Sequence, residues 1–291
     1  MAERQPKPIG LFTHIEKTGG VSVDRSLEHG VGKEGILIYS PKVDRLAREN
    51  DIPIASPALE FMRRALATPF VGAAIATVWA GSDRAYRRTL RRKYPELEIP
   101  EDAKLLSGHF VADQFDPLLG DRQPIRGIML REPLDRMISH YNYWSRDRGG
   151  DDWRVLVPYK RMRRGQDFQQ YFEEFAMLPE HQNYQASAMG GLNLAQFDVV
   201  GVTEHLGEFT EAFLRRLAQE GLTVSGQEKD FPTFHLNSNH VKRKIRKSDL
   251  SDEFQASFRE HHDRDYALYE QAKGIQEQRM REVGVLKQHA L

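Results

Sequence analysis

The sequence predicts an α/β fold, a three-layer arrangement in which a central, mainly parallel sheet is flanked by helices on both faces. Three observations lead there. Short apolar runs recur along the chain, and most are followed by a segment whose apolar residues fall at helical spacing. A glycine-rich turn joins the first such run to the first such helix. The composition, 40% hydrophobic and 29% charged over 291 residues, is that of an ordinary globular chain long enough to bury a sizeable core.

The elements follow in order. Ile9 to Thr13 reads as a buried strand, Glu16 to Ser22 as the turn, and Val21 to His29 as a helix. Leu105 and Leu106 lie in a second strand that stops at Ser107-Gly108. Ile125 to Arg131 is a third strand, and Glu132-Pro133 then opens a helix to Arg146, because proline suits the first helical position. Leu134, Met137, Ile138, Tyr141 and Trp144 carry its apolar spacing. Phe197 to Thr203 is a fourth strand, followed by a helix over His205 to Glu220. Ser248 to Lys273 reads as one long helical region, extending toward residue 285, with Ser251 near its start as a cap. Residues 40–100 read as a mostly helical insertion. No repeat or low-complexity tract interrupts residues 1–291, which are taken as one domain.

Charge and cysteine usage exclude several classes. Lys plus Arg total 42 and Asp plus Glu total 42, so the surface as a whole is no polycation for nucleic acid. The absence of cysteine removes a disulfide framework, a cysteine nucleophile and any thiolate metal site. The most apolar stretch, Ala65 to Gly81, is too short and too rich in Ala and Gly for a span of roughly 20 residues. With no apolar segment behind Met1 to Pro8, a cytoplasmic location is expected.

The densest chemical signal is Thr13-His14-Ile15-Glu16-Lys17-Thr18-Gly19-Gly20-Val21-Ser22. A turn between strand and helix offers an anion free backbone N–H groups and the positive helix end. The glycines allow close backbone approach, Lys17 supplies a point charge, and Thr18 and Ser22 supply hydroxyls. A Walker A loop requires glycine before its lysine, and Glu16 stands there instead. Gly30, Gly32 and Gly35 form a literal G-x-G-x-x-G, but it precedes an apolar run instead of following a strand, and it reads as a loop. A second anion-binding set is Arg131-x-Pro133-x-x-Arg136-x-x-Ser139, where an arginine ends a strand and a serine lies in the next helix. Two such sets suit a ligand with two phosphate-like ends.

These segments resemble a family. IEKTGGVS resembles the IPKTGGTS loop of sulfotransferases related to heparan sulfate 2-O-sulfotransferase, and LREPLDRMISHY resembles that family's LRDPxxRxxSxY motif. LLSGHF resembles its GH segment and FDVVGVTEHL its strand with the pattern fdfvGltE. The late basic loop His235 to Lys247 and the DRDYALYEQA helix are also family-like. The matches keep the family's order and cover roughly residues 9–273. Glu16 departs from the usual proline, which changes the stiffness and charge of the loop.

The resemblance implies a P-loop-like sulfotransferase fold. It also implies 3′-phosphoadenosine 5′-phosphosulfate as donor and 3′-phosphoadenosine 5′-phosphate as product, with no metal. By resemblance, Lys17, Thr18, Gly19, Gly20, Val21 and Ser22 hold the 5′-phosphosulfate, and Arg131 and Ser139 the 3′-phosphate. Asn237, Ser238 and Asn239 close over the nucleotide. His109 is the base for an acceptor hydroxyl, with Lys17 stabilising the leaving oxygen. His14 and Glu16 are rival bases and candidate acceptor contacts. Asn183 and Gln185 fall where relatives line the acceptor cleft, or serve as satisfied polar core residues. The acceptor expected is a carbohydrate, a glycolipid or another alcohol, with no nucleic-acid partner. Arg84 to Lys93 holds six basic residues, either a solvated face or a patch for an anionic acceptor. Beside the apolar stretch 65–81 it raises peripheral membrane contact as a hypothesis. The rival readings are a nucleotide-dependent phosphotransferase and a non-catalytic protein that binds an anion in the same pocket.

Overall fold

A computed structural model of the chain describes residues 7–40, 45–47, 99–144, 167–224 and 245–282. Within them, β1 (Pro8–Thr13), β2 (Ile36–Ser40), β3 (Arg45–Ala47), β4 (Leu105–Gly108), β5 (Gln123–Leu130) and β6 (Val199–Val202) form one sheet in the order β3-β2-β4-β1-β5-β6. Five strands run parallel, and β3 pairs antiparallel at the edge. The helices are α1 (Gly20–Val31), α2 (Pro133–Trp144), α3 (Phe168–Ala176), α4 (Tyr184–Ala188), α5 (Leu206–Gln219), α6 (Asp252–His261) and α7 (Asp263–Glu282).

Strand alternation sorts the core into layers. On β5, Ile125 and Met129 join α1 and α5 on one face, while Ile128 and Leu130 join α4 and α7 on the other. Burial on both faces is why these strands read as nearly continuous apolar runs. Helix α5 lies close against the sheet because glycine faces it: a Cβ on Gly201 would stand 2.6 Å from the Phe209 ring. The stretch carrying Phe110, Phe115 and Leu119 covers Ile9, Leu11 and Tyr39 at the other end of the sheet. A separate cluster around Tyr141, Phe172 and Phe258 binds α2, α3 and α6 together.

Local chemistry sets the helix starts. The Glu132 carboxylate accepts the Asp135 N–H at 2.6 Å, and Pro133 opens α2. Ser251 Oγ accepts the Phe254 N–H at 3.1 Å and caps α6, as the sequence predicts.

The structure adds strands and alters other parts of the sequence reading. The run from Ile36 is strand β2, paired with β4 across the Ile36–Leu105 register, a partner remote in sequence. Gly30 belongs to α1 and not to a loop, and Gly32 at φ 86° ends that helix. The helical region expected over Ser248 to Lys273 is present as two helices, α6 and α7, that meet at His262. Of the expected helical insertion, residues 45–47 are strand and most of the remainder lies outside the described residues. Outside them also lie the apolar stretch 65–81, the basic run 84–93 and Asn237, Ser238 and Asn239. Among the described residues no helix is long and apolar enough to cross a membrane.

Candidate functional site

The chain passes from β1 through α1 to β2, and later returns to place β4 on one side of β1 and β5 on the other. Progression along the sheet therefore reverses at β1, where open parallel sheets present a crevice beyond the strand carboxyl ends. Four segments meet there: the loop 14–19 after β1, His109 after β4, Arg131 after β5 and Thr203 after β6.

The loop is held in a shape that needs support. Lys17 has φ 71° and Gly19 φ 85°, and the left-handed region is uncommon for a lysine. Arg131 donates from Nη1 to the Lys17 carbonyl at 3.1 Å. Thr203 Oγ1 lies 3.2 Å from the Thr18 carbonyl and 3.1 Å from that of Leu130, tying the loop to the end of β5. Thr18 Oγ1 donates to the Ile15 carbonyl at 2.9 Å, so this hydroxyl serves the loop itself. Helix α1 has no acidic residue in its first turn, which leaves its positive end uncompensated.

Against this loop stands a group of histidines. The His14 ring lies over Gly20, where a Cβ would sit 1.8 Å from Nε2, so only glycine fits. His14 Nδ1 is 3.0 Å from Asp24 Oδ2, and Ser107 Oγ donates to Asp24 Oδ1 at 2.6 Å. Burial alone would raise the Asp24 carboxyl, but the His14 charge and the bonds from His14 and Ser107 hold it below its ordinary value. His109 Nδ1 lies 2.7 Å from the His14 carbonyl, and the two rings are 4.3 Å apart. A carbonyl only accepts, so Nδ1 carries the proton of the neutral ring and Nε2 keeps its lone pair. Burial, aided by the His14 charge, lowers His109 to about 4, against the opposing pull of Glu16. The ring is therefore neutral at pH 7.

Helix α2 closes the other side. Glu16 Oε2 is 3.5 Å from His140 Nδ1, with the Glu16 side chain 36% exposed. Burial would raise this carboxyl, yet His109, His140, Arg136 and His14 together hold it low. Burial lowers His140 to about 4. Arg136 is 2% exposed, its guanidinium 4.7 Å from the Tyr184 ring centre, and its Nε has no hydrogen-bond partner among the described residues. Lys17 Nζ stands 4.0 Å above the Tyr143 ring. Ser139 is half-buried one turn from both Arg136 and Tyr143 on the same helix. Arg131 is surrounded by Asp135, Glu204 and Glu132, which oppose the effect of burial on its guanidinium.

Asn183 and Gln185 are drawn into the interior instead of into an open cleft. Gln185 is 0% exposed: its Oε1 accepts the Arg131 N–H at 2.9 Å and its Nε2 donates to the Arg131 carbonyl at 2.8 Å. Asn183 Oδ1 accepts the Asp265 N–H at 3.2 Å, and Nδ2 donates to Asp263 at 3.3 Å. Both carboxamides hold backbone, and Gln185 acts on the site through Arg131.

Lys17 to Ser22, His14, Glu16, His109, Arg131 and Ser139 are thus gathered at one end of the sheet. Asp24, Ser107, Arg136, Tyr143 and Thr203 belong to the same surroundings. Ser107 lies inside LLSGHF, Arg136 inside LREPLDRMISHY and Thr203 inside FDVVGVTEHL, whereas Asp24 and Tyr143 lie outside these segments and meet partners, Ser107 and Lys17, that are remote along the chain. Among the described residues, no group of three or more His, Asp or Glu is arranged to hold a metal ion. No family model and no curated protein matches the chain.

Proposed function

We propose that the chain is an O-sulfotransferase that moves a sulfuryl group from 3′-phosphoadenosine 5′-phosphosulfate to the hydroxyl of a carbohydrate, glycolipid or related alcohol. The observation that carries this reading is the juxtaposition of a lone-pair Nε2 on His109 with a clamped, cation-bearing loop at the start of α1. The ordered resemblance of the loop, the GH segment and the arginine–serine motif supports the same reading.

The residues fit a doubly anionic donor. The loop backbone and the α1 terminus suit the 5′-phosphosulfate, with Lys17 as its counter-charge. Arg131 keeps donors beyond the one on the Lys17 carbonyl, and together with Ser139 these suit the 3′-phosphate. In the transfer, the acceptor oxygen would bond to sulfur as the bond from sulfur to the bridging oxygen of the 5′-phosphate breaks. The electron pair leaves with the nucleotide, and Lys17 is placed to offset that charge. The acceptor proton passes to His109 Nε2. A base lowered to about 4 suffices, because an alcohol becomes strongly acidic as its oxygen bonds to sulfur. Positioning supplies the rest of the rate enhancement.

Calorimetric titration with 3′-phosphoadenosine 5′-phosphate tests the donor site, using wild type, Lys17→Ala and Arg131→Ala, with ATP as control. Tight binding that both substitutions weaken at least roughly 10-fold, with little response to ATP, is the expected result. No binding, or a preference for ATP with magnesium, overturns the reading. Transfer from the labelled donor to a panel of sugars and glycolipids then separates an enzyme from a binding protein.

A further inference from the structure

The site contains a hydrogen-bonded chain that the proposed reaction does not itself require. It runs from Ser107 Oγ at the end of β4 to Asp24 on α1, at 2.6 Å. It continues from Asp24 to His14 Nδ1 at 3.0 Å, and from the His14 carbonyl to His109 Nδ1 at 2.7 Å. Each link joins a different element, so the chain fixes the loop against both α1 and β4. Gly20 leaves the room in which the His14 ring can lie flat enough to reach Asp24.

We infer that Asp24 and Ser107 are positioning residues that hold the His14 carbonyl where it locks His109 in the Nδ1–H tautomer, with Nε2 turned to the acceptor. Asp24 touches no reacting atom. It orients a histidine whose backbone, not its ring, sets the state of the working histidine. A carboxylate that oriented the working ring directly would be read from its own hydrogen bond. Here the constraint passes through one residue of loop backbone, and the loop that seats the donor is the same loop that sets the base. Donor binding and base orientation are therefore mechanically joined. The groups facing His109 are His14 and Glu16 from the loop and Asp24 from α1; His140 and Arg136 on α2 face Glu16.

The inference rests on the sulfotransferase reading only for its rate arm. The tautomer arm is nitrogen-15 NMR of the full chain labelled at histidine, at neutral pH without ligand. Wild type is expected to show His109 as a neutral ring protonated at Nδ1. Asp24→Ala is expected to give a mixture of the two neutral tautomers, and Ser107→Ala a smaller admixture. Should Asp24→Ala fail to fold, Ser107→Ala and Asp24→Asn decide. A His109 signal unchanged from wild type in every folded variant overturns the inference, as does a wild-type ring protonated at Nε2. In the rate arm, kcat is expected to fall about 10- to 100-fold in Asp24→Ala with the donor KM little changed, a part of the range open to a positioned base. A fall in kcat alongside an unaltered tautomer also overturns it. If no donor nucleotide binds at all, the proposed function fails while the tautomer result still stands or falls alone.

Discussion

His109 is half-buried and His262 fully buried, and both are lowered by burial to about 4, yet the hydrogen bonding of the two rings differs. At His262 both ring nitrogens are bonded. Its Nδ1 accepts the Asn183 N–H at 3.4 Å, its Nε2 donates to the Ala176 carbonyl at 3.2 Å, and Phe258 stacks on the ring at 4.0 Å. Asp265 beside it accepts the N–H groups of Gln185 and Ala186, and burial raises its carboxyl. Around His109 the bonding stops short. Nδ1 is spent on a carbonyl, Nε2 is not bonded among the described residues, and Glu16 stays partly exposed. Buried polar groups normally find partners, and the two histidines differ in how far that is met. The closed cluster fastens α3, α4, α6 and α7, and Gln185 carries that rigidity to Arg131.

The contrast is broken most directly at the two histidines. His109→Ala is expected to cut transfer by about 10²- to 10⁴-fold while leaving the unfolding midpoint and nucleotide affinity near wild type. His262→Ala is expected to lower stability and leave nucleotide affinity intact. Equal losses of transfer per folded molecule in both variants would erase the distinction. The next largest effect belongs to the link between the clusters. Gln185→Ala strands the buried N–H and carbonyl of Arg131 and is expected to cost about 2–4 kcal/mol in denaturant unfolding, with weakened nucleotide binding as Arg131 shifts.

Acid sharpens the contrast further. Histidines whose folded pKa is lowered contribute stability that is complete above the unfolded value near 6.5 and is lost as pH falls toward 4. Thermal unfolding is therefore expected to weaken across that window. His262 alone, at 1% exposure, accounts for about 3 kcal/mol. His262→Phe is expected to flatten the acid slope; an unchanged slope would place the acid sensitivity elsewhere. The smallest effect concerns Lys17. Tyr143→Ala removes the ring under its ammonium and is expected to shift donor affinity by about 0.5–1 kcal/mol, while Tyr143→Phe leaves it nearly unaltered.

Much of this architecture is local and so could be read along the chain. The β1 run, the glycine-rich turn, the Pro133 helix start and the Ser251 cap depend on neighbours within a few residues. Their chemistry is visible in order, and the α/β class follows from their alternation. The loop, His109, Arg131 and Ser139 were also legible as chemistry-bearing residues. Strand β2 was not, because a short apolar run becomes a strand only when β4 is present to pair with it. The break at His262 was equally hidden, since Asn183 and Ala176, which hold that ring, come from remote segments.

Chain order alone shows which groups this protein owns: a glycine-rich loop with a lysine, histidines near it, an arginine at a strand end, and no cysteine. Where each group lies, and what it bonds, follows from packing. Asn183 and Gln185 turned inward because backbone groups of Asp265 and Arg131 had to be satisfied there. Asp24 and Ser107 became partners of His14 because α1 and β4 meet over one loop. A hydrogen bond depends on distance in space, and sheet order brings side by side residues that chain order keeps apart.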